Sequence, residues 1–145
     1  APVTGASNMS AAQINEVLGR ADSPASGTGA QLLEIMNTYG IKASFALAVF
    51  HHESSYGLKG WGATNRALGN IRCTAGYACA GGYRSYNSWA ASYTDFAKLI
   101  SLYVSQWKLT TVSAILNRYA PVGDNNDPFL YAQAVQNDMS AWGDN

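Results

Sequence analysis

Charge is what this chain has least of. Lys, Arg, Asp and Glu make up 12% of its 145 residues, about half the usual share of roughly 25%, and nine basic side chains balance nine acidic ones. No excess positive field is available to hold a nucleic-acid backbone, and no acidic tail to draw a basic partner. Nucleic-acid binding is not expected. Long apolar runs are missing too: the longest, Phe45 to Phe50, is far short of the roughly 20 residues a membrane span needs. Nor does the chain open with a charged stretch and an apolar core, so it reads as a processed protein or a domain taken from a longer chain. Cysteine is limited to Cys73 and Cys79. Five residues separate them, and a disulfide is expected over free thiols, adding about 2 kcal/mol by loop entropy and placing the protein outside the cytoplasm. A two-cysteine metal site would need further ligands nearby, and none is evident.

What the chain does have is neutral polarity and short helical patterns. Its length suits one domain with one core. Residues 1–9, rich in small side chains, read as a linker or processed remnant, leaving 10–145 as the folded unit. Ser10 to Arg20 opens with a capping-box pattern and carries Ile14, Val17 and Leu18 on one face. Leu32 to Met36 mark a second helix stopped by Gly40, and Ala43 to Tyr56 a third ending at Gly57. Between Leu58 and Tyr86 the helical period fails. There Leu68–Arg72 and Gly82–Tyr86 are expected as strands of a hairpin closed by the two cysteines. Ser88 then caps a long helix to about Gln106. A helix from Thr110 or Thr111 to Tyr119 follows, and a last one opens at Asp127 with Pro128 in first position and runs to about Trp142. The expected architecture is α+β and mostly helical, with about six helices and a small disulfide-closed β-hairpin lobe.

One residue does not fit this economy of charge. Ala46, Val49, Phe50 and Glu53 recur at helical spacing, so Glu53 falls in the last turn of a helix uncharged by Lys, Arg, Asp or Glu from Lys42 to Lys59 apart from itself. A carboxyl in apolar surroundings holds its proton to higher pH and can donate it to a leaving oxygen. The competing reading is an exposed Glu at the unfavourable end of a helix dipole.

The local sequence favours the first. His52-Glu53-Ser54-Ser55-Tyr56-Gly57 resembles the Glu-Ser-x-x-Gly signature that closes the catalytic helix in the glucosaminidase and transglycosylase branches of the lysozyme-like superfamily. Leu68-Gly69-Asn70-Ile71-Arg72 resembles the Gly-Asn-Ile segment that follows it there. Tyr83-Arg84-Ser85-Tyr86 leading into the Trp89 helix, and Asn117-Arg118-Tyr119-Ala120-Pro121 with Asn125-Asn126-Asp127-Pro128 and Tyr131, are similar to the remaining motifs. The four occur in order across roughly residues 28–142. The likeness is greatest to the β-N-acetylglucosaminidase domains of autolysins and phage wall-degrading proteins. It implies a lysozyme-like fold and cleavage of β-1,4 bonds in peptidoglycan glycan by a secreted, wall-associated or phage-borne enzyme. It also implies Glu53 as the group that protonates the glycosidic oxygen and Tyr119 as a cleft residue beside the substrate.

Many glycosidases use two carboxylates, yet after Glu53 the next acid is Asp95 and the hairpin region has none. Asp95 lies in the long helix and reads as a surface or supporting residue; Asp124 and Asp127 read as turn and cap residues. The pattern is that of a one-carboxylate enzyme, in which the substrate's 2-acetamido oxygen attacks the anomeric carbon or an oxocarbenium ion is otherwise stabilised. Hydrolysis by water, or capture by a muramic 6-hydroxyl as in a lytic transglycosylase, both stay open, as does a muramidase. Aromatic faces stack on sugars, which makes Tyr83, Tyr86 and Trp61 candidate glycan contacts, while Trp89 reads as packing. Asn70 is a candidate for an acetamido group or for holding the hairpin in shape, and Ser54 or Ser55 for steadying the Glu53 carboxyl.

Three other chemistries fit poorly. His51-His52-Glu53 superficially suggests a His-Glu-x-x-His zinc motif, but the last position is Tyr56, and the only two histidines are adjacent and expected to point to different sides of the helix. No metal and no cofactor are expected, and His52 is left to tune Glu53. A cysteine peptidase would need a nucleophilic thiol and a separate His base, which the Gly-rich cysteine loop does not offer. A non-catalytic wall-binding module would keep the aromatic cleft but has no need of Glu53 in its motif. A monomer acting on glycan strands is the expectation.

Overall fold

The computed structural model describes residues 1–120 and 127–144; Pro121, Asp124, Asn125 and Asn126, which carry part of the motif and turn readings, lie outside them. Among the described residues there are seven helices and one two-stranded antiparallel sheet, the mostly helical α+β arrangement that the lysozyme-like resemblance implies. The helices are α1 (Ala11–Arg20), α2 (Gly29–Tyr39), α3 (Ala43–Ser54), α4 (Gly60–Asn65), α5 (Trp89–Trp107), α6 (Val112–Tyr119) and α7 (Pro128–Ala141), with β1 (Cys79–Ala80) and β2 (Tyr83–Arg84) between α4 and α5. None of the described helices is long and apolar enough to cross a membrane.

Local chemistry sets most of the ends. The Ser10 hydroxyl accepts from the Gln13 N–H while the Gln13 side chain accepts from the Ser10 N–H, a complete capping box. Ser88, Thr111 and Asp127 cap α5, α6 and α7 with the one arm alone, each side chain accepting an N–H three residues on. Gly40 ends α2 in the left-handed conformation.

The middle of the body is α3. Every residue from Ala43 to Phe50 is fully buried, so this helix is enclosed on all sides rather than along a single stripe. It packs most extensively against α7, while α2 packs on α5 and α6 on α7. Phe50 meets Tyr56, Trp89 and Tyr93 at ring-centroid distances of 6.1, 5.3 and 6.3 Å. Full burial of a side chain of this kind stabilises by about 1.5–3 kcal/mol.

The helix stops abruptly, two residues short of the expected Tyr56. Ser55, Tyr56 and Gly57 all take positive φ, at 50°, 59° and 82°. For Ser and Tyr this conformation is unfavourable, and it is held by surrounding contacts. The Ser23 hydroxyl donates to the Tyr56 carbonyl at 2.6 Å, and the Gly57 N–H donates to the Ser54 hydroxyl at 2.9 Å. A Cβ on Gly57 would stand 2.5 Å from the Trp89 ring. Gly57→Ala should therefore cost about 2–3 kcal/mol, seen as a lower urea midpoint with unchanged slope.

Three expectations differ from the structure. Helix α4 was not foreseen, because Gly60 and Gly62 hide it. In the hairpin, β1 rather than Leu68–Arg72 is the partner of β2, in the register Cys79↔Arg84 and Ala80↔Tyr83. The turn is Gly81-Gly82 at φ 64° and 83°, the mirror-image two-residue geometry that matches strand twist. Segment 71–73 still runs beside β2, through Arg84 N–H to Ile71 O and Cys73 N–H to Gly82 O, with an isolated bridge at Arg72↔Tyr83. It cannot extend back to Leu68 as a strand because Asn70 sits at φ 48°. The disulfide Cys73–Cys79 is formed, with Cα atoms 5.7 Å apart, and closes the loop entering β1 rather than the hairpin tip.

The third difference is at the start of the chain. Residues 1–9 were expected as a linker, but Val3 and Met9 are buried. Pro2 bridges Thr111, and Thr4 bridges Ile41. Ser7 and Asn8 donate to Asp144 from the other end of the chain, at 2.5 and 3.0 Å. Burial alone would raise the Asp144 carboxyl's pKa, but the Ser44 side chain, the hydrogen bonds from Ser7 and Asn8 and the charge of Lys42 hold it below the ordinary value. A lowered folded pKa gives stability that is present above the unfolded value of about 3.9 and is lost as pH falls through the folded one. Melting temperature should therefore fall on acidification across that window, and in Asp144→Asn a part of that fall should disappear.

Candidate active site

Glu53 leaves the last turn of α3 half-buried, at the point where the three left-handed residues turn the chain away. Both its carboxyl oxygens are held. The Tyr131 hydroxyl on α7 donates to Oε1 at 2.8 Å. The Asn70 amide donates to Oε2 at 3.2 Å, with a longer contact to the Glu53 carbonyl at 3.4 Å. Asn70 can reach because its left-handed φ folds the 66–72 segment back toward α3.

The carboxyl opens into a cavity of about 420 Å³ between α3, the hairpin lobe, α5 and α6. Asn70, Tyr83, Arg84, Arg118 and Tyr119 are among its lining residues. Among the described residues Glu53 is the only carboxylate in that lining. Burial raises its pKa, and the hydrogen bonds from Tyr131 and Asn70 and the charge of His52 only partly offset this. The acid therefore keeps its proton to higher pH than a free Glu would, which suits proton donation near neutrality.

Tyr119, in the last turn of α6, lines the same cavity. Its hydroxyl donates to the Gly69 carbonyl, and its ring meets Phe96 edge-on at 5.9 Å. Gly69 permits this, since a Cβ there would fall 2.1 Å from the Tyr119 oxygen. Burial pushes the phenol's pKa up, and Glu53's charge adds to it. Tyr119 and Tyr131 are thus neutral, able to donate hydrogen bonds but not to act as phenolates. Beyond Tyr103 and Arg118 the surface continues into a second hollow, where Arg118 covers the Trp107 ring at 4.1 Å.

Of the residues singled out from sequence, Glu53, Tyr119, Asn70 and Tyr83 come together at this cavity. Three others do not. Ser54 is buried, and its hydroxyl serves the turn through Gly57 and Phe50 rather than the Glu53 carboxyl. Tyr86 points its hydroxyl at Asp95, which also takes Arg84 at 2.8 Å, so this trio pins the lobe to α5. Trp61 is 44% exposed and lies over Gly81, where a Cβ would be 2.1 Å from its ring. Tyr131, the fourth residue of α7, belongs to the terminal motif, and the sequence alone does not assign it to the site.

The two histidines also depart from expectation. They do not point apart: His51 Nδ1 and His52 Nε2 lie 2.7 and 2.8 Å from the same oxygen of Asp138 on α7. Neighbours on a helix are rotated by about 100°, but one imidazole uses its near nitrogen and the other its far one, so both reach a common point.

No curated protein matches the chain. A family model described as mannosyl-glycoprotein endo-beta-N-acetylglucosaminidase matches residues 29–144, from the start of α2 to the end of the described chain. That span contains every residue of the cavity, and the chain belongs to this glucosaminidase family of glycan-cleaving glycoside hydrolases.

Proposed function

We propose that the protein is an extracellular or phage-borne N-acetylglucosaminidase that cleaves the β-1,4-linked glycan of peptidoglycan, with Glu53 as its acid and then its base. The observation that carries this reading is the Glu53 carboxyl itself. It is raised in pKa, fixed at both oxygens by Tyr131 and Asn70, and the sole carboxylate lining the described part of a cavity that continues past Arg118. A second carboxylate to serve as nucleophile or base is not supplied by the hairpin lobe, and Asp95 is engaged by Arg84 and Tyr86.

The substrate then supplies its own nucleophile. Glu53 gives its proton to the glycosidic oxygen as the C1–O bond breaks, and the 2-acetamido oxygen of the same sugar forms a bond to C1. The ionised Glu53 next takes a proton from water, the resulting hydroxide adds to C1, and the acetamido oxygen is released. Proton count and charge are restored at the end of the cycle. Neutral Tyr119 and Asn70 stand where they can orient the acetamido group and the sugar ring, and Tyr83 offers an aromatic face. The disulfide favours an oxidising compartment.

Digestion of purified peptidoglycan, followed by mass spectrometry of the new glycan ends with and without borohydride reduction, tests the linkage. Reducible N-acetylglucosamine ends are expected. Reducible N-acetylmuramic acid ends would make the enzyme a muramidase, and 1,6-anhydro ends a lytic transglycosylase. Wall binding without new ends would leave only a binding module.

A further inference from the structure

The His51–His52–Asp138 cluster does not line the cavity, and of its members only His52 bears on Glu53, through its charge. Its geometry, however, is that of a ligand set. One ligand atom from each residue lies within 4.8 Å of the other two, and among the described residues no other group of three or more such side chains is so placed. Two of the contacts are already short, with both imidazoles directed at one carboxylate oxygen at 2.7 and 2.8 Å. The His51 ring is fixed by parallel stacking on Tyr56 at 4.7 Å. The His52 ring lies 6.4 Å from the Tyr131 ring. Side-chain exposures of 38%, 28% and 20% leave the cluster open to solvent on one side, where an ion can enter and a water can complete its shell.

We propose that His51, His52 and Asp138 form a site for one first-row divalent cation of the zinc class, bound by His51 Nδ1, His52 Nε2 and a carboxylate oxygen, with solvent in the fourth position. Two imidazoles and one carboxylate suit such an ion, whereas magnesium and calcium prefer oxygen donors alone. Zinc bonds of about 2.0–2.1 Å give a tetrahedral edge of about 3.3 Å, so the two imidazole–carboxylate contacts need to lengthen by about half an ångström to admit the ion. The role follows from where the ligands sit. His51 and His52 belong to α3, two and one residues before Glu53, and Asp138 to α7, two turns after Tyr131. The bound ion clips together the two helices whose hydrogen bond positions the acid. The site does not depend on which glycan is cut.

The test is a titration of the untagged full chain, stripped with EDTA, by zinc chloride in a calorimeter, with melting curves alongside. One equivalent with micromolar affinity is expected, together with a melting temperature that rises with zinc. His52→Ala and Asp138→Asn should each weaken uptake at least about tenfold and abolish the thermal shift. Imidazole nitrogen resonances of the unaltered chain give a readout free of any folding defect in a variant: zinc should move His51 Nδ1 and His52 Nε2. Absence of saturable uptake, uptake that survives both substitutions, or imidazole resonances that stay fixed would each overturn the site.

Discussion

Glu53→Gln is expected to lower the rate of glycan cleavage by about a thousandfold, within the range that a positioned general acid contributes. The amide has the shape of the acid but no proton to give, and no base to regenerate in the second half of the cycle. The other residues lining the cavity, Tyr83, Asn70 and Tyr119 among them, are retained, so in the proposed reaction the loss should fall on kcat, with KM changed by no more than a few-fold. Folding should not suffer. Burial disfavours the charged carboxylate, and a neutral isostere removes that penalty, so the variant should melt at or above the wild-type temperature. A variant that lost activity by melting early would point to Glu53 as a structural residue instead.

Asp95→Ala should produce the second large effect, of a different kind. Asp95 takes Arg84 at 2.8 Å and the Tyr86 hydroxyl through one oxygen, and both members of the ion pair are nearly closed off from solvent, at 12% and 13% side-chain exposure. Removing one partner of such a pair leaves a desolvated charge and costs about 3 kcal/mol. The loss should be concentrated in the lobe. The Arg84, Ser85 and Tyr86 amides, which donate to Ile71, Ala78 and Asn65, should lose protection from hydrogen exchange while the α3 amides keep theirs. Because Tyr83 and Arg84 line the cavity, activity should fall too, but with KM rising, a split opposite to that of Glu53→Gln. Equal protection at the lobe amides in variant and wild type would show that Asp95 does not anchor it.

How much of this was legible in the chain depended on how local the signal was. The caps at Ser10, Ser88, Thr111 and Asp127 and the stop at Gly40 were readable because each acts within a few residues of itself. Glu53 was readable as an acid in an apolar helix, and its motif now has a physical account: Ser54 closes the turn and Gly57 fits under Trp89, leaving Glu53 at the cavity. What was not legible was decided at a distance. The bridges of Pro2 and Thr4 go to Thr111 and Ile41, and composition alone made that stretch look like a linker. Tyr86 carries the same ring as Tyr83, and only the approach of Asp95 on the next helix separates a lobe anchor from a cleft residue. The Gly81-Gly82 turn fixes the register of the hairpin, yet the adjacent Gly-rich sequence offered several places for it. The rotation per residue along a helix sets His51 and His52 apart, and only the choice of ring nitrogen, which no sequence pattern carries, brings both to Asp138.

In the proposed reaction Glu53 moves the proton that breaks the glycosidic bond. The measurement that bears on it most directly is the rate at which reducible N-acetylglucosamine ends appear on one preparation of peptidoglycan, for wild type and Glu53→Gln in parallel, with binding to the same material recorded. Equal binding and a rate about a thousandfold lower in the variant are expected. Ends that form in Glu53→Gln at a rate close to wild type would contradict this role and move the acid to another residue.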